Sequence, residues 1–213
     1  MILKTKAETL KELSEKLKCA QVLPVCMFSV KQWFESKEKV INKIKKEKWS
    51  SGKLIVRSSA LNEDSSAESM AGKYESILNV DLENNLDQAV DAVIKSFGEA
   101  EDNDIVFIQP MLENVIRSGV CFTRDPSNSS HYYVINYDDS SGKTDTVTGG
   151  TDGDLKTLLI AKTIKSKVRD AWARKLVALC KELEILYNND SLDIEFAFNE
   201  KEQLYLFQVR PLI

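Results

Sequence analysis

Residues 192–213 read LDIEFAFNEKEQLYLFQVRPLI. Two apolar-rich runs, 193–199 and 204–211, flank the polar break Glu200-Lys201-Glu202-Gln203, and the pattern predicts a β-hairpin. Side chains alternate along a strand. Asp193 and Glu195 therefore share one face of the first run, and Gln208 and Arg210 share one face of the second. A loop formed by residues 200–203 pairs Glu195 with Gln208 and Asp193 with Arg210. That register predicts two carboxylates, an amide and a guanidinium on one surface. Ile194, Phe196, Phe198, Tyr205, Phe207 and Val209 are predicted to form the apolar opposite face. Hard oxygen ligands beside a fork of N–H donors suit a magnesium polyphosphate. The same residues also read as an Asp–Arg cross-strand salt bridge on a solvated face. The hairpin alone does not choose between the two.

The rest of the chain bounds the answer. It has 213 residues, 43% of them hydrophobic, enough for one large domain or two small lobes with a sizeable core. A net charge of −4 gives no electrostatic basis for nucleic-acid binding. No apolar run approaches the length of a transmembrane helix, and the start MILKTKAETLKEL is amphipathic, unlike a signal peptide. Cys19, Cys26, Cys121 and Cys180 lack C-x-x-C spacing and sit among apolar neighbours. They read as reduced, mostly buried thiols of a cytoplasmic protein. His131 is the only histidine, too few for a usual zinc site, and its Ser/Asn-rich context predicts a surface residue. Neither a Walker loop nor a dinucleotide fingerprint is present.

Periodicity predicts helices over 6–18, 30–48 and 86–97. The second turns Val30, Trp33, Phe34, Val40, Ile41 and Ile44 inward. Residues 21–29, with Pro24, read as an extended or edge segment. Strands are predicted at 54–56, 74–80, 105–112, 120–123 and 132–137, and a turn-rich segment at 138–153. Residues 154–187 are predicted to form a long amphipathic helix or helix pair, with Leu155, Leu158, Leu159, Ile164 and Val168 on its buried stripe. Mixed elements with local hairpins argue α+β.

Two further clusters share the hairpin's chemical theme. Arg57-Ser58-Ser59 follows a short buried strand and can meet a phosphate with side-chain and backbone donors, or pair with Glu63 or Asp64. Residues 68–74, ESMAGKY, place Lys73 beside Gly72, which permits close backbone approach.

Three blocks carry a family resemblance: LIVRSSALNEDSSAESMAGKYESILNV (54–80), FIQPMLENVIRSGVCFTRDP (107–126) and LDIEFAFNEKEQLYLFQVRP (192–211). In this order they resemble the nucleotide-binding domain of phosphoenolpyruvate synthase and pyruvate phosphate dikinase. The resemblance implies an α+β, ATP-grasp-like fold. Two lobes, 1–108 and 109–213, the second holding the hinge strand and the hairpin, would clamp ATP between them. It implies that Arg57 contacts phosphate, that Glu195 and Gln208 coordinate magnesium, and that Arg210 holds the transferred terminal phosphate. Gln109, Met111 and Leu112 would lie beside adenine. The 69–74 loop, with Gly72 and Lys73, would close over the phosphates. Lys6, in Lys-Ala-Glu-Thr-Leu, matches the lysine of the family's Gly-Gly-Lys segment, although both glycines are missing here. The family's Gly-Leu-Gly-Glu segment is replaced by Asp138-Asp139-Ser140-Ser141-Gly142.

The activity implied is transfer of phosphate from Mg-ATP to a histidine on a swivelling domain, with eventual release of AMP and phosphate. That phosphohistidine domain and the acceptor-substrate domain lie outside these residues, on a longer form of the chain or on separate chains. The trimmed, glycine-poor pattern resembles the L-glutamine kinases of capsular phosphoramidate biosynthesis, which implies L-glutamine as acceptor. The alternatives are a non-catalytic nucleotide-sensing domain and the ATP domain of a pyruvate-phosphorylating enzyme.

Overall fold

Pro24 splits the segment that follows the first helix. The computed structural model describes residues 1–59, 76–142, 155–163 and 168–212. It has α1 (Lys6–Lys16) followed by two strands, β1 (Gln21–Val22) and β2 (Cys26–Ser29), which join different sheets. A single extended segment was the expectation over 21–29. Proline lacks the N–H a continuous ladder needs, so the chain changes sheets there.

The chain divides into two compact units. One comprises Thr5–Lys11 and Leu23–Met111. The other comprises Met1–Lys4, Glu12–Val22 and Leu112–Ile213.

The first unit holds a four-stranded antiparallel sheet of β2, β3 (Leu54–Ser59), β4 (Ser76–Val80) and β5 (Ile105–Pro110), in the order β2-β5-β3-β4. Its core joins Leu54, Val56, Val106 and Ile108 of the sheet to α2 (Val30–Lys45) and α3 (Leu86–Ser96). A capping box starts α2: Gln32 N–H donates to Ser29 Oγ at 3.1 Å, and Ser29 N–H donates to Gln32 Oε1 at 3.0 Å. Trp33 Nε1 donates to Asp91 Oδ1 at 2.8 Å and ties α2 to α3. Phe34, expected inward, is 70% exposed. Trp33 already fills the inward position, and the next residue on a helix points about 100° away. The expected α2 also ends early, with non-helical Ser36 inside it and a separate 3-10 turn at Lys48–Ser51.

The second unit holds a six-stranded sheet in the order β1-β10-β9-β6-β7-β8. Its longer strands are β6 (Val115–Phe122), β7 (Tyr132–Asp138), β8 (Lys156–Ala161), β9 (Leu192–Asn199) and β10 (Leu204–Pro211). All pairings are antiparallel except that of β1 with β10. Helix α4 (Ala171–Tyr187) covers one face. Its Trp172 meets Phe198 edge-on at 6.2 Å, and Cys180 Sγ lies 3.5 Å from Cys121 Sγ. Tyr133 OH donates to Glu184 Oε2 at 3.2 Å. The helix stops at Asn188, whose φ of 48° is the left-handed cap conformation.

The predicted helix over 154–187 is therefore only half right. Its first part is strand β8, paired residue by residue with β7. Leu155, Leu158 and Leu159 have helical spacing, but Leu159 is 57% exposed. The open edge of β7 determines the outcome, and a short apolar run does not reveal that partner. Ile164 lies outside the described residues. Cys26, Cys121 and Cys180 are buried as expected, whereas Cys19 is exposed. His131 is exposed. Among the described residues no helix is long and apolar enough to cross a membrane.

At Gly119 strand β6 runs too close to the β7 backbone for a side chain. A Cβ there would stand 2.2 Å from the Asn136 carbonyl oxygen and 2.8 Å from Tyr137 Cα, both backbone atoms. Gly119→Ala is expected to lower stability by about 3 kcal/mol through overpacking against a rigid neighbour. Urea denaturation of the purified variant checks this. A midpoint within error of wild type would contradict it.

Candidate functional site

The hairpin brings its polar residues together as the alternation predicts. Gln208 pairs with Glu195 and Arg210 with Asp193. The route to that register is different, because two irregularities cancel. The loop is one residue shorter than expected, since Leu204 pairs with Phe198. It closes by Glu202 N–H donating to the Asn199 carbonyl at 2.8 Å and Asn199 N–H to the Gln203 carbonyl at 3.2 Å. Glu202, at φ 53°, takes the left-handed position usual for three-residue hairpin loops. A bulge between Leu206 and Gln208 then restores the register. Leu204 and Leu206 consequently join Ile194, Phe196, Phe198 and Val209 in the core. Tyr205 and Phe207, expected there, are only half-buried, and Tyr205 pairs with Ala197 on the other face.

Asp193 is the residue this hairpin adds to the expected set. Arg210 Nε donates to its Oδ2 at 2.9 Å, and Arg210 Nη2 stands 2.9 Å from the same oxygen. The Asp193 side chain is 11% exposed and that of Arg210 25%. Burial pushes the Asp193 carboxyl above its ordinary range, against the pull of the Arg210 charge. Its other oxygen, Oδ1, is buried and has no hydrogen-bond partner among the described residues. A buried acceptor left in that state costs about 1–3 kcal/mol, so the position favours a ligand that supplies a donor or a cation. Alternation placed Asp193 on the right face. The unpartnered oxygen, which singles it out, is visible only in three dimensions.

The donor set fits magnesium. The Glu195 carboxylate and the Gln208 amide are hard oxygen ligands on paired residues of one sheet face. Magnesium takes one or two protein carboxylates and completes its octahedron with water and phosphate. A cluster of three or more acidic, His or Cys ligands is thus unnecessary, and none occurs among the described residues.

The motif at 123–126 anchors this hairpin. Leu192 N–H donates to Thr123 Oγ1 at 2.7 Å, and Thr123 Oγ1 donates to the Asp190 carbonyl at 2.8 Å. Arg124 forks onto Asp190 with contacts of 3.1 and 2.6 Å. These bonds fix the residues immediately before Asp193 and give the quoted Thr-Arg pair a positioning role. Asp138, at the departure from the family's glycine-rich segment, accepts from the Ser141 and Ser140 hydroxyls and from both backbone N–H groups. Those donors, the Ser141 hydroxyl foremost, hold its carboxyl well below the usual carboxylate range.

The remaining expected residues belong to the other unit or to its boundary. Arg57-Ser58-Ser59 lies within β3, not beyond it, because all three residues pair with β5. The Arg57 guanidinium lies 5.6 Å from the centre of the Phe107 ring. Ala7 N–H donates to Ser59 Oγ at 2.9 Å, which ties the start of α1, and with it Lys6, to the end of β3. Gln109 is buried and donates through Nε2 to the Leu23 carbonyl at 3.0 Å. Met111 N–H donates to the Lys53 carbonyl at 2.8 Å, and its sulfur accepts from Asn79 N–H at 3.0 Å. Leu112 is half-buried. Gly72 and Lys73 lie outside the described residues, as do Glu63 and Asp64.

Residues 8–144 match the sequence pattern of the family described as the pyruvate phosphate dikinase AMP/ATP-binding domain. No curated protein matches the chain. Solved structures do. D-alanine–D-alanine ligase from Helicobacter pylori is similar with a TM-score of 0.56 and 14% identity, over 98% of this chain and 54% of that one. An L-amino acid ligase from Bacillus licheniformis is similar with a TM-score of 0.55 and 11% identity, over 98% and 40%. The ADP complex of purK, N5-carboxyaminoimidazole ribonucleotide synthetase, has a TM-score of 0.52 and 12% identity, over 99% and 45%. The chain spans about half the length of these proteins, or less. At such identities the likeness is one of fold, an α+β architecture of the ATP-grasp type.

Proposed function

Because the chain belongs to the pyruvate phosphate dikinase AMP/ATP-binding domain family, we propose that it holds Mg-ATP and passes phosphate to a histidine on a swivelling domain outside these residues. The observation that carries the proposal is the paired set Glu195–Gln208 and Asp193–Arg210 on one sheet face, with Asp193 Oδ1 buried and unpartnered among the described residues. Glu195 and Gln208 hold the magnesium, which when bound neutralises charge on the phosphates. Arg210, oriented by Asp193, holds the terminal phosphate with planar N–H donors. By family resemblance Arg57 and Lys6 contact phosphate, Lys73 and Gly72 close over it, and Gln109, Met111 and Leu112 sit beside adenine. Charge stabilisation and positioning are the main tasks in such a transfer.

The finer reading is an L-glutamine kinase, cytoplasmic, that releases AMP and phosphate and completes its cycle with an acceptor-substrate domain. The trimmed family pattern supports it. A non-catalytic nucleotide sensor is the second reading. The presence of Arg57, Glu195, Gln208 and Arg210 favours the enzyme.

The chain alone is expected to bind ATP with little turnover. His131, exposed and outside the hairpin, is a poor acceptor. Without an aligned nucleophile the site forgoes a proximity advantage of about 7–11 kcal/mol. Incubation with Mg-ATP, followed by measurement of AMP, ADP and protein-bound phosphate, checks this. Rapid turnover, or acid-labile phosphate lost in His131→Ala, would overturn the need for a separate histidine domain.

A further inference from the structure

Glu195 and Gln208 belong to a longer row of residues. The register aligns Gln208, Glu195, Val120, Asn136 and Thr157 on five successive strands, β10 to β8. Paired residues on neighbouring strands project from the same face. Asn136 and Thr157 therefore stand on the face of the candidate site, opposite the one that Trp172 and Cys180 of α4 cover. Neighbouring strands lie about 4.8 Å apart, so Asn136 is about 10 Å from Glu195 across the short side chain of Val120. A metal-bound polyphosphate can bridge that interval.

Thr157 Oγ1 donates to Asn136 Oδ1 at 2.8 Å. Among the described residues this is the hydrogen bond of the Asn136 side chain, and it turns the amide oxygen toward β8. The two Nδ2 donors are left for another acceptor. Val120 and Val134 beside it carry none, and the Asp138 carboxylate two residues on is taken by Ser140 and Ser141. Asn136 is half-buried, so these donors are open to water in the free protein and to a ligand oxygen when the site is filled.

We infer that Asn136 is a further ligand-binding residue of this site, donating through Nδ2 to an anionic oxygen of the Mg-bound ATP phosphates. Thr157 is the positioning residue that orients it. This inference rests on the Mg-nucleotide reading and extends that site across the sheet.

The test is calorimetric titration of the full chain with Mg-ATP, each variant also being melted to establish that it folds. Asn136→Ala is expected to weaken binding about tenfold, the loss of one hydrogen bond to a charged group. Asn136→Asp, which is isosteric, should weaken it at least as much, because a carboxylate repels phosphate. It carries the test if the alanine variant does not fold. Thr157→Val should weaken binding less, and Thr157→Ser should bind like wild type. Folded Asn136 variants with wild-type affinity would overturn the inference while leaving the nucleotide reading intact. Equal affinities for Thr157→Val and Thr157→Ser would overturn the positioning role. No binding by wild type would overturn both readings.

Discussion

Arg210→Lys is expected to lower phosphoryl transfer by about 10³-fold in the chain supplied with its histidine domain, while the protein melts close to the wild-type temperature. Stability is spared because an ammonium can still pair with Asp193, whose Oδ2 now receives two nitrogens of the guanidinium. Transfer suffers because one ammonium cannot hold both Asp193 and a phosphoryl oxygen in a fixed plane. The readout is phosphate passed from labelled ATP to the histidine domain, with thermal melts alongside. Transfer at the wild-type rate would remove Arg210 from the reaction. A collapse in melting temperature would make it a structural residue.

Glu195→Ala should weaken binding of Mg-ATP by about tenfold or more, with a smaller effect on ATP alone. A carboxylate that grips the nucleotide through a metal acts only when the metal is present. Removing it without metal even relieves repulsion of the phosphates, so metal-free affinity is expected to hold or rise slightly. Equal losses in the two titrations would assign Glu195 to the fold.

The hairpin was legible because strand alternation is local: it puts Asp193 with Glu195 and Gln208 with Arg210 whatever the loop does, while the register alone decides that the two pairs share a face. Its detailed register was right for incomplete reasons. A short loop and a compensating bulge at Phe207 moved Leu204 and Leu206, not Tyr205 and Phe207, into the core. Neither irregularity has a glycine to announce it, since Glu202 adopts the left-handed turn conformation itself. The sequence of strand β8 predicts helix because Leu155, Leu158 and Leu159 have helical spacing, and only pairing with β7 overrides it. The first half of β6 was invisible for the same reason. Arg117, Ser118 and Gly119 carry no strong strand signal and become strand between β9 and β7. The sequence does not mark Asn136, because its hydrogen-bond partner Thr157 lies in a strand whose spacing predicts helix.

The central claim is that this chain binds ATP through a magnesium held on the β9–β10 hairpin. Titration of the 213-residue chain with ATP, once with magnesium and once with chelator, tests it most directly. Saturable one-site binding that tightens when magnesium is present is the result predicted here. Absence of binding, or one affinity under both conditions, would contradict it.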